Sequence, residues 1–576
     1  MDNKGISAVF DEIGNILEIK GVDFFRVNAY RKAALTIMNL GIDLRQVVAK
    51  NRQVLDELPG IGKVLKEKII ELIETGKCEE HERLKAEIPA GLLEMMNLRS
   101  VGPKKVKLFY SELKITNIKE LKEAAEKHLL SKLPKMGPKS ESEILKAIEE
   151  FSSFSTKRHL IHDALNEAEN YLEYMRQVEG IKQMQYAGSL RRWQESIGDV
   201  DILVTVKNPE KDTAKITKHF VSYKEILKVM AEGETRASVI LQSGMQVDLR
   251  VINDDTFGAA LHYFTGSKDH NVRIRDMAKK MGLKVSEYGV LKDEKVIAGK
   301  TEKEVFAAVG LPYFIPEIRK NDGEFEYALE HGKMPDFIEL TDIKADLHNH
   351  TTYSDGKNSL EEMAEVFIGR GYEYFAVTDH SSVMAVTGGM GTKEIKAQWA
   401  EIEALNKKLK GRIKILKGCE VDILKDGSLD FSDEILKELD VVIVSAHMHN
   451  RLPAEEQTAR IIAALENPYT MILAHPTGRL INKRAEMEFD MEKVIEACVQ
   501  NKVALEINAN PSRLDLADKY IRIAKAKGAK FTIDTDSHSV TNPEFMKFGV
   551  GMARRGWLEK ADVLNTRTLK EFDSWF

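Results

Sequence analysis

Cysteine is nearly absent from this chain. Three residues in 576 (Cys78, Cys419 and Cys498) cannot build a disulfide framework, which points to a reducing compartment. Long apolar runs are absent too: none approaches the roughly 18 residues of a membrane span. The first twenty residues, MDNKGISAVFDEIGNILEIK, form an amphipathic helix pattern and lack the apolar block of a signal peptide. Membrane, secreted and fibrous classes are thereby excluded, and a cytoplasmic location is expected. Whole-chain disorder is excluded by 43% apolar and 31% charged residues. At roughly 150 residues per domain the length suggests about four structural units. A basic excess is also missing, since the net charge is −6. That figure is an average: residues 1–316 hold 50 Lys+Arg against 47 Asp+Glu, and the remainder holds 35 against 44. The split argues for two parts with different jobs.

Residues 1–150 show helical periodicity broken by short Gly/Pro turns. From about residue 184 the pattern turns to strands (MQYAGSL, DVDILVTV, ASVILQ, QVDLRVI), with KDTAKITKHFVSYKEILKVM expected as a helix between them. Residues 317–341 are charged and weakly apolar, and are expected to be a linker to a separately folded part. From Ile343 seven apolar segments alternate with helices, which suggests a (β/α) barrel.

Three segments begin with Leu, then three residues, then Gly, followed by a helix: LPGIGKVLKEKII, LRSVGPKKVKLFY and LPKMGPKSESEIL. A tight glycine turn that opens a helix presents free backbone N–H groups able to hold a phosphate without reading a base. Gly60, Gly62, Gly102 and Gly137, with Lys63, Lys104, Lys105 and Lys139 just after, are the candidates for DNA-backbone binding. The third copy, with Lys135 where the first has a glycine, also fits a purely structural turn.

In YAGSLRRWQESIGDVDILV, Gly188-Ser189 precedes a helical turn, as a phosphate-cradling loop does, and Arg192 can fork onto a phosphate oxygen. Asp199 and Asp201, two apart on a strand, share one face. They repel unless a cation separates them. Asp248 in QVDLRV is a third carboxylate, and three can hold two Mg²⁺ for an in-line phosphoryl displacement. In the second half, His348, His350, Asp355, His380, Glu420, His447, His475, Asp536 and His538 cluster at the C-terminal ends of successive strands, where barrels build active sites. Nitrogen and oxygen ligands without thiolate suit Mn²⁺, Zn²⁺ or Fe²⁺. His449 follows His447 at the same strand end.

The Gly-Ser…Asp-x-Asp segment resembles the nucleotidyltransferase superfamily. LHYFTGSKDHNVRIRDMAKKMGLKVSEYGV is very similar to the nucleotide-binding region of family X DNA polymerases, and with FFRVNAYRKAA and LPGIGKVLKEK the resemblance spans nearly all of residues 1–316. The glycine repeats resemble helix-hairpin-helix motifs. HNH, TDH and DSH resemble the polymerase and histidinol phosphatase (PHP) superfamily over about residues 343–576. Together they resemble bacterial family X DNA polymerases with a C-terminal PHP domain.

That resemblance implies a multidomain fold. Residues 1–88 would be a helical DNA-end or lyase-like domain, and 89–153 a fingers-like helical domain. Residues 154–260 would be an α+β palm and 261–316 a thumb, with 317–341 as linker and 342–576 a distorted (β/α)₇ PHP barrel. It makes Asp199, Asp201 and Asp248 the polymerase's Mg²⁺ ligands. Gly188, Ser189, Arg192 and Gly198 fall at the triphosphate, with Tyr263, Phe264 and Gly266 beside the incoming sugar. Asn271 faces the base and Arg275 the template. Lys68 matches a Schiff-base lysine, with Lys63 and Lys66 supplying nearby charge, and Tyr30 matches its pocket. Val27, Gln246 and Lys268 depart from the animal members, which carry tyrosine, arginine and aspartate there.

For the barrel it implies three ions, Mn²⁺ or Zn²⁺. His348, His350, Glu420 and Asp536 would hold the first, Asp355, His380 and His538 the second, and Glu420, His447 and His475 the third. The implied activity is short-gap filling in DNA repair from dNTPs on gapped or nicked DNA, by a monomer. A phosphoesterase would act on DNA as a 3′–5′ exonuclease, abasic-site endonuclease or 3′-phosphatase. Two rivals are a nucleotidyltransferase fused to a small-molecule phosphatase of the histidinol type, and a non-catalytic DNA-end binding module.

Overall fold

The computed structural model describes residues 3–38, 44, 45, 48, 52, 55, 61–96, 98, 101–134, 136–154, 158–384 and 388–576. Gly60, Ser100 and Lys135 lie outside the described residues. The chain divides into two compact units, residues 1–156 and 157–576. No described helix is long and apolar enough to cross a membrane, and all three cysteines are buried and free.

The described part of the first unit is helical, around two apolar clusters. One gathers Ile6, Phe10, Ile13, Tyr30, Leu65, Ile69 and Leu72, and the other Leu92, Val106, Phe109, Leu121 and Ile144. The helix Lys63–Thr75 shows the logic: Leu65, Ile69 and Leu72 form its buried stripe, and Gly76 ends it in the left-handed region.

The second unit begins with the helix Ile161–Met175 and a short pair, β1 (His159–Leu160) with β3 (Ser196–Ile197). A five-stranded sheet follows, formed by β2 (Ile181–Tyr186), β4 (Asp199–Val206), β5 (Ile226–Glu232), β6 (Arg236–Leu241) and β7 (Gln246–Ile252). Its order is β2-β4-β7-β6-β5, with β4 and β7 parallel. Here the sequence expectation is corrected. The helix expected over KDTAKITKHFVSYKEILKVM stops at Phe220, and Ile226–Glu232 is the edge strand β5. Antiparallel pairing to β6 overrides a weak helical pattern that had no apolar face to bury.

Next come the helices Phe257–Thr265, Lys268–Lys280 and Glu302–Ala308, with a small sheet of β8 (Lys284–Ser286), β9 (Gly289–Lys292) and β10 (Lys295–Ala298). Residues 317–341 are not a loose linker. They hold the helix Glu324–His331, and Ile318, Phe325, Ala328 and Phe337 are buried with Phe306 and Phe314. Charge hid this packing: Arg319 and Glu324, which read as solvated, are fully buried and paired.

Seven parallel strands then run in chain order: β11 (Ala345–Asp346), β12 (Tyr374–Val377), β13 (Lys414–Asp422), β14 (Val441–Ser445), β15 (Ile472–Leu473), β16 (Ala504–Asn508) and β17 (Phe531–Asp534). A bridge between Asn349 and Ser537, and the His350 N–H donating to the Ser537 carbonyl, join the first strand's end to the last. One apolar cluster runs from Ile161 and Tyr171 through to Ile533 and Phe548, so the barrel shares its core with the elements before it.

Candidate active sites and phosphate-binding turns

Parallel pairing of β4 with β7 sets Asp199 opposite Gln246 and Asp201 opposite Asp248. The three carboxylates share one end of the sheet. Burial, then the charges of Asp199 and Asp248, push the Asp201 carboxyl up to about 7. Such crowding is what a divalent cation relieves, so the donor set fits a metal. Gln246 Nε2 donates to both oxygens of Asp248, at 3.2 and 3.0 Å. Gly188 has φ +65°, and a Cβ there would lie 2.8 Å from Asp201 Oδ2. Only glycine lets the turn approach the carboxylates so closely.

Ser189 and Arg192 follow on the turn Gly188–Arg191 and its cap. The Arg192 guanidinium donates to the Thr265 carbonyl, which places it beside Gly266. Arg191, which sequence reasoning passed over, forks onto Glu302 (2.9 and 2.6 Å) and donates to Thr265 Oγ1 (2.7 Å). Glu302 also accepts from Arg319 at 2.6 Å. Asn271 Nδ2 donates to the Tyr263 carbonyl at 2.7 Å, tying the helix Lys268–Lys280 to the Tyr263–Gly266 turn. Lys268 and Arg275 are exposed on that helix. Gly198 sits directly before Asp199, and Phe264 is covered by the Arg250 guanidinium at 4.4 Å.

The barrel gathers its histidines and carboxylates around Glu420, which is buried. His348, His350 and His380 lie 3.3, 3.6 and 3.0 Å from Glu420 Oε2; His447 and His475 lie 3.3 and 3.0 Å from Oε1. His350, Asp355, His380 and His538 form one group able to hold an ion. Further groups are His348 with His350 and Asp536, His348 with Glu420 and His475, and His380 with Glu420 and His447. All nine residues expected from the sequence meet here, and His350 also joins the set expected for the second ion. His348 and His350 stand just past β11 rather than on it. His449 is exposed.

The fit to metal is chemical. Both nitrogens of His350, His348 Nε2 and His380 Nδ1 are buried without a hydrogen-bond partner. Burial and the neighbouring His538 and His380 bring His350 down to about 4, and burial with Arg513 brings His475 down to about 3. Burial pushes His348, His380 and His538 down too, but Glu506 with Glu420, Glu420, and Asp355 respectively outweigh it and hold them above the usual range. A bound cation would replace those protons, since neutral imidazole is the ligating form. Behind the ligands stand groups that no motif announced. Glu506 accepts from His348 Nδ1 at 2.6 Å and from the His475 N–H at 2.5 Å. Asp422 lies 3.1 Å from His447 Nδ1. Such partners orient metal-binding imidazoles. The one sequence signal for Glu506 is a lone carboxylate inside the apolar strand ALEIN.

In the first unit, Gly62 and Gly102 cap the helices Lys63–Thr75 and Pro103–Leu113 with extended backbone, and Gly137 precedes Pro138–Phe154. A Cβ at any of the three would meet nothing within 4 Å. Neither packing nor backbone angle demands glycine there, so the turns are open to close approach as well as serving as helix caps. Lys63 and Lys104 are exposed beside these turns, and Lys105 is half-buried. Lys68 is paired with a carboxylate. Its Nζ lies 2.5 Å from Glu80 Oε2, which also accepts from the Tyr30 hydroxyl at 2.7 Å. Burial pushes the Glu80 carboxyl up, but Lys68, Tyr30 and Arg26 bring it below its usual range.

Comparison with known proteins agrees with this architecture. Residues 1–78 match a helix-hairpin-helix domain, 92–150 a SAM-like helix-hairpin-helix tandem, 260–320 the DNA polymerase beta thumb, and 346–510 the PHP domain. The chain is 39% identical, over 100% of its length and 99% of the relative's, to the DNA polymerase/3′-5′ exonuclease PolX of Bacillus subtilis (strain 168). It is 30% identical to a probable phosphatase of Acetivibrio thermocellus, covering 40% of this chain and 93% of that protein. A probable phosphatase of Thermoanaerobacter sp. (strain X514) is 32% identical over 38% of this chain and 89% of its own length. Full-length identity, the matched thumb and the matched barrel lead to one assignment: the chain belongs to the family X DNA polymerases that carry a C-terminal PHP domain.

Proposed function

We propose that the chain is a DNA-directed DNA polymerase that fills short gaps during DNA repair, coupled to a 3′–5′ exonuclease in its barrel. The carrying observation is the set of three carboxylates on paired strands with Gly188 pressed against one of them. Both domain types imply dependence on divalent metals. In our reading Asp199, Asp201 and Asp248 hold Mg²⁺, and the nine-residue barrel cluster holds Mn²⁺ or Zn²⁺, three ions in all. When bound, these ions supply charge stabilisation to the phosphoryl group under attack.

The chain's own residues do the rest. Ser189 and Arg192 grip the triphosphate of the incoming dNTP, with Gly198 close by. Tyr263, Phe264 and Gly266 crowd a 2′-hydroxyl, Asn271 faces the base, and Arg275 the template strand. The glycine turns at 62 and 102, with Lys63, Lys104 and Lys105, hold the duplex backbone of gapped or nicked DNA, and Gly60 of the first motif is assigned to the same role. Tyr30 and Lys68 face a 5′ end. For Lys68 to form a Schiff base, its pairing with Glu80 must open first. Residues 1–88 and 89–153 serve as two DNA-holding domains, 154–260 as palm, 261–316 as thumb and 342–576 as phosphoesterase. We place this activity in the cytoplasm, in a monomer. The barrel is also open to abasic-site cleavage and 3′-phosphate removal.

The probable phosphatases match 40% and 38% of the chain, so a small-molecule phosphatase accounts for less than half of it. Incubating a gapped, 5′-labelled duplex with Mg²⁺ or Mn²⁺, with and without dNTPs, tests the proposal. We expect extension with dNTPs and 3′ shortening without them. Hydrolysis of histidinol phosphate but of no DNA end would overturn the exonuclease reading.

A further inference from the structure

The residues after the Gly188-Ser189 turn are held by a helix that belongs to the barrel. Trp193 sits at φ +52°, a conformation a bulky residue keeps only where its surroundings enforce it. The enforcing surface is the helix Met546–Arg555. A Cβ at Gly551 would lie 2.7 Å from Trp193 Cε3, and the Phe548 ring meets the indole edge-on at 5.9 Å. Two residues earlier on the same helix, a Cβ at Gly549 would lie 2.5 Å from Ile533 Cγ2 of β17 and 2.8 Å from Ala509 Cβ. The two glycines make the helix a thin spacer, tight against the barrel strand on one side and against Trp193 on the other.

At the end of this helix Arg555 is buried, and its Nη1 donates to the Arg192 carbonyl at 3.1 Å. Its Nη2 pairs with Asp518, which also pairs with Lys320. Arg554 meanwhile donates from Nε to Glu317 at 2.7 Å. Thus the backbone of Arg192 is fixed by a barrel arginine, and its guanidinium by the Thr265 carbonyl.

We propose that Arg555 is a positioning residue for the polymerase reaction: through the Arg192 backbone it aims the Arg192 guanidinium at the triphosphate of the incoming nucleotide. The barrel thereby serves DNA synthesis as well as hydrolysis. Arg555 touches neither substrate nor metal ligand in this role. It removes freedom that Arg192 would otherwise lose only on binding the nucleotide. The proposal rests on the reading of Arg192 as a triphosphate contact.

The test is steady-state extension by the full-length protein on a gapped duplex, with each of the four dNTPs titrated. Arg555→Gln should raise the KM for all four by about tenfold, equal to about 1.4 kcal/mol. The kcat, the discrimination against ribonucleotides, and 3′ hydrolysis without dNTPs should each stay within about twofold. Arg555→Lys, which keeps one charged donor, should recover part of the loss. If kcat and hydrolysis fall together with the melting temperature, Arg555 is merely structural and the proposal is overturned. If Arg555→Gln does not fold, Asp518→Ala removes the acceptor that orients Arg555 without deleting it, and an unchanged KM in that variant overturns the proposal equally. Arg192→Lys separates the two readings. A raised KM there with an unchanged one in Arg555→Gln defeats the positioning role alone. An unchanged KM in Arg192→Lys defeats the triphosphate assignment, and the proposal with it.

Discussion

Gly188 and Asp201 show what a single residue decides here. The glycine is needed because the carboxylate occupies the space a Cβ would fill. The carboxylate is held near Asp199 and Asp248 by register alone. We expect Asp201→Asn and Asp248→Asn each to abolish extension and leave 3′ hydrolysis intact. Losing a metal ligand removes transition-state stabilisation on the order of several kcal/mol. Primer-extension gels check this, and near-parent extension would remove these residues from the site. At Lys68 the expected outcome is narrower. Borohydride should trap a covalent adduct with a 5′-deoxyribose-phosphate end, and Lys68→Ala should lose it. Equal trapping by the variant would return Lys68 to phosphate binding. The carboxylates and the barrel histidines were legible because each sits in a spaced motif. Glu80, Glu506, Arg191 and Arg555 were not, because their roles arise from what the fold brings to them.

The seven barrel strands were legible in the sequence as short, nearly continuous apolar runs, because they are buried on both faces. β5 was not, because an edge strand is defined by its backbone partner rather than by its side chains. Residues 317–341 were not either, because a buried ion pair is written in the same letters as a solvated one. Glu302 exposes the consequence. Burial pushes its carboxyl up, but Arg319 and Arg191 outweigh burial and bring it down to about 2. A carboxylate with a depressed folded pKa stabilises the fold above its unfolded value, 4.5, and loses that contribution as pH falls through about 2. The contribution at neutral pH is about 3 kcal/mol. Glu302→Gln should therefore lower stability at neutral pH in denaturant titrations. The gap from the parent should close steadily between those two pH values. A gap that stays constant across that window would mean that the Arg191–Glu302–Arg319 cluster is not what holds the thumb residues together.

At the scale of the whole molecule, charge and chemistry lie in different places. Residues 1–156 carry 26 Lys+Arg against 24 Asp+Glu, and the remaining unit carries 59 against 67. An acidic unit that must handle DNA needs the phosphate held elsewhere, or attracted by bound cations. In our proposal the open glycine turns at 62 and 102 supply the first, and both carboxylate sites can supply the second. His348→Ala with His350→Ala should therefore silence 3′ hydrolysis, yet leave extension working. Because the ligands are imidazole and carboxylate, Mn²⁺ should support hydrolysis better than Mg²⁺.

The structure also decides where the chain can be cut. A cut near residue 342 would bare the surface of the helix Met546–Arg555 that covers Trp193 and pairs with Glu317, and would part Lys320 from Asp518. A cut before residue 158 separates the two compact units instead. We expect a fragment of residues 158–576 to fold cooperatively, and to keep both activities at saturating DNA. Its affinity for gapped duplex should be far weaker, with a shallower dependence on salt, because the lysines beside the glycine turns no longer displace counterions. Fluorescence anisotropy across a salt series measures both quantities. Affinity and salt slope equal to those of the full chain would mean that the helical unit does not hold the duplex. Loss of all activity at saturating DNA would mean that it does more than hold it.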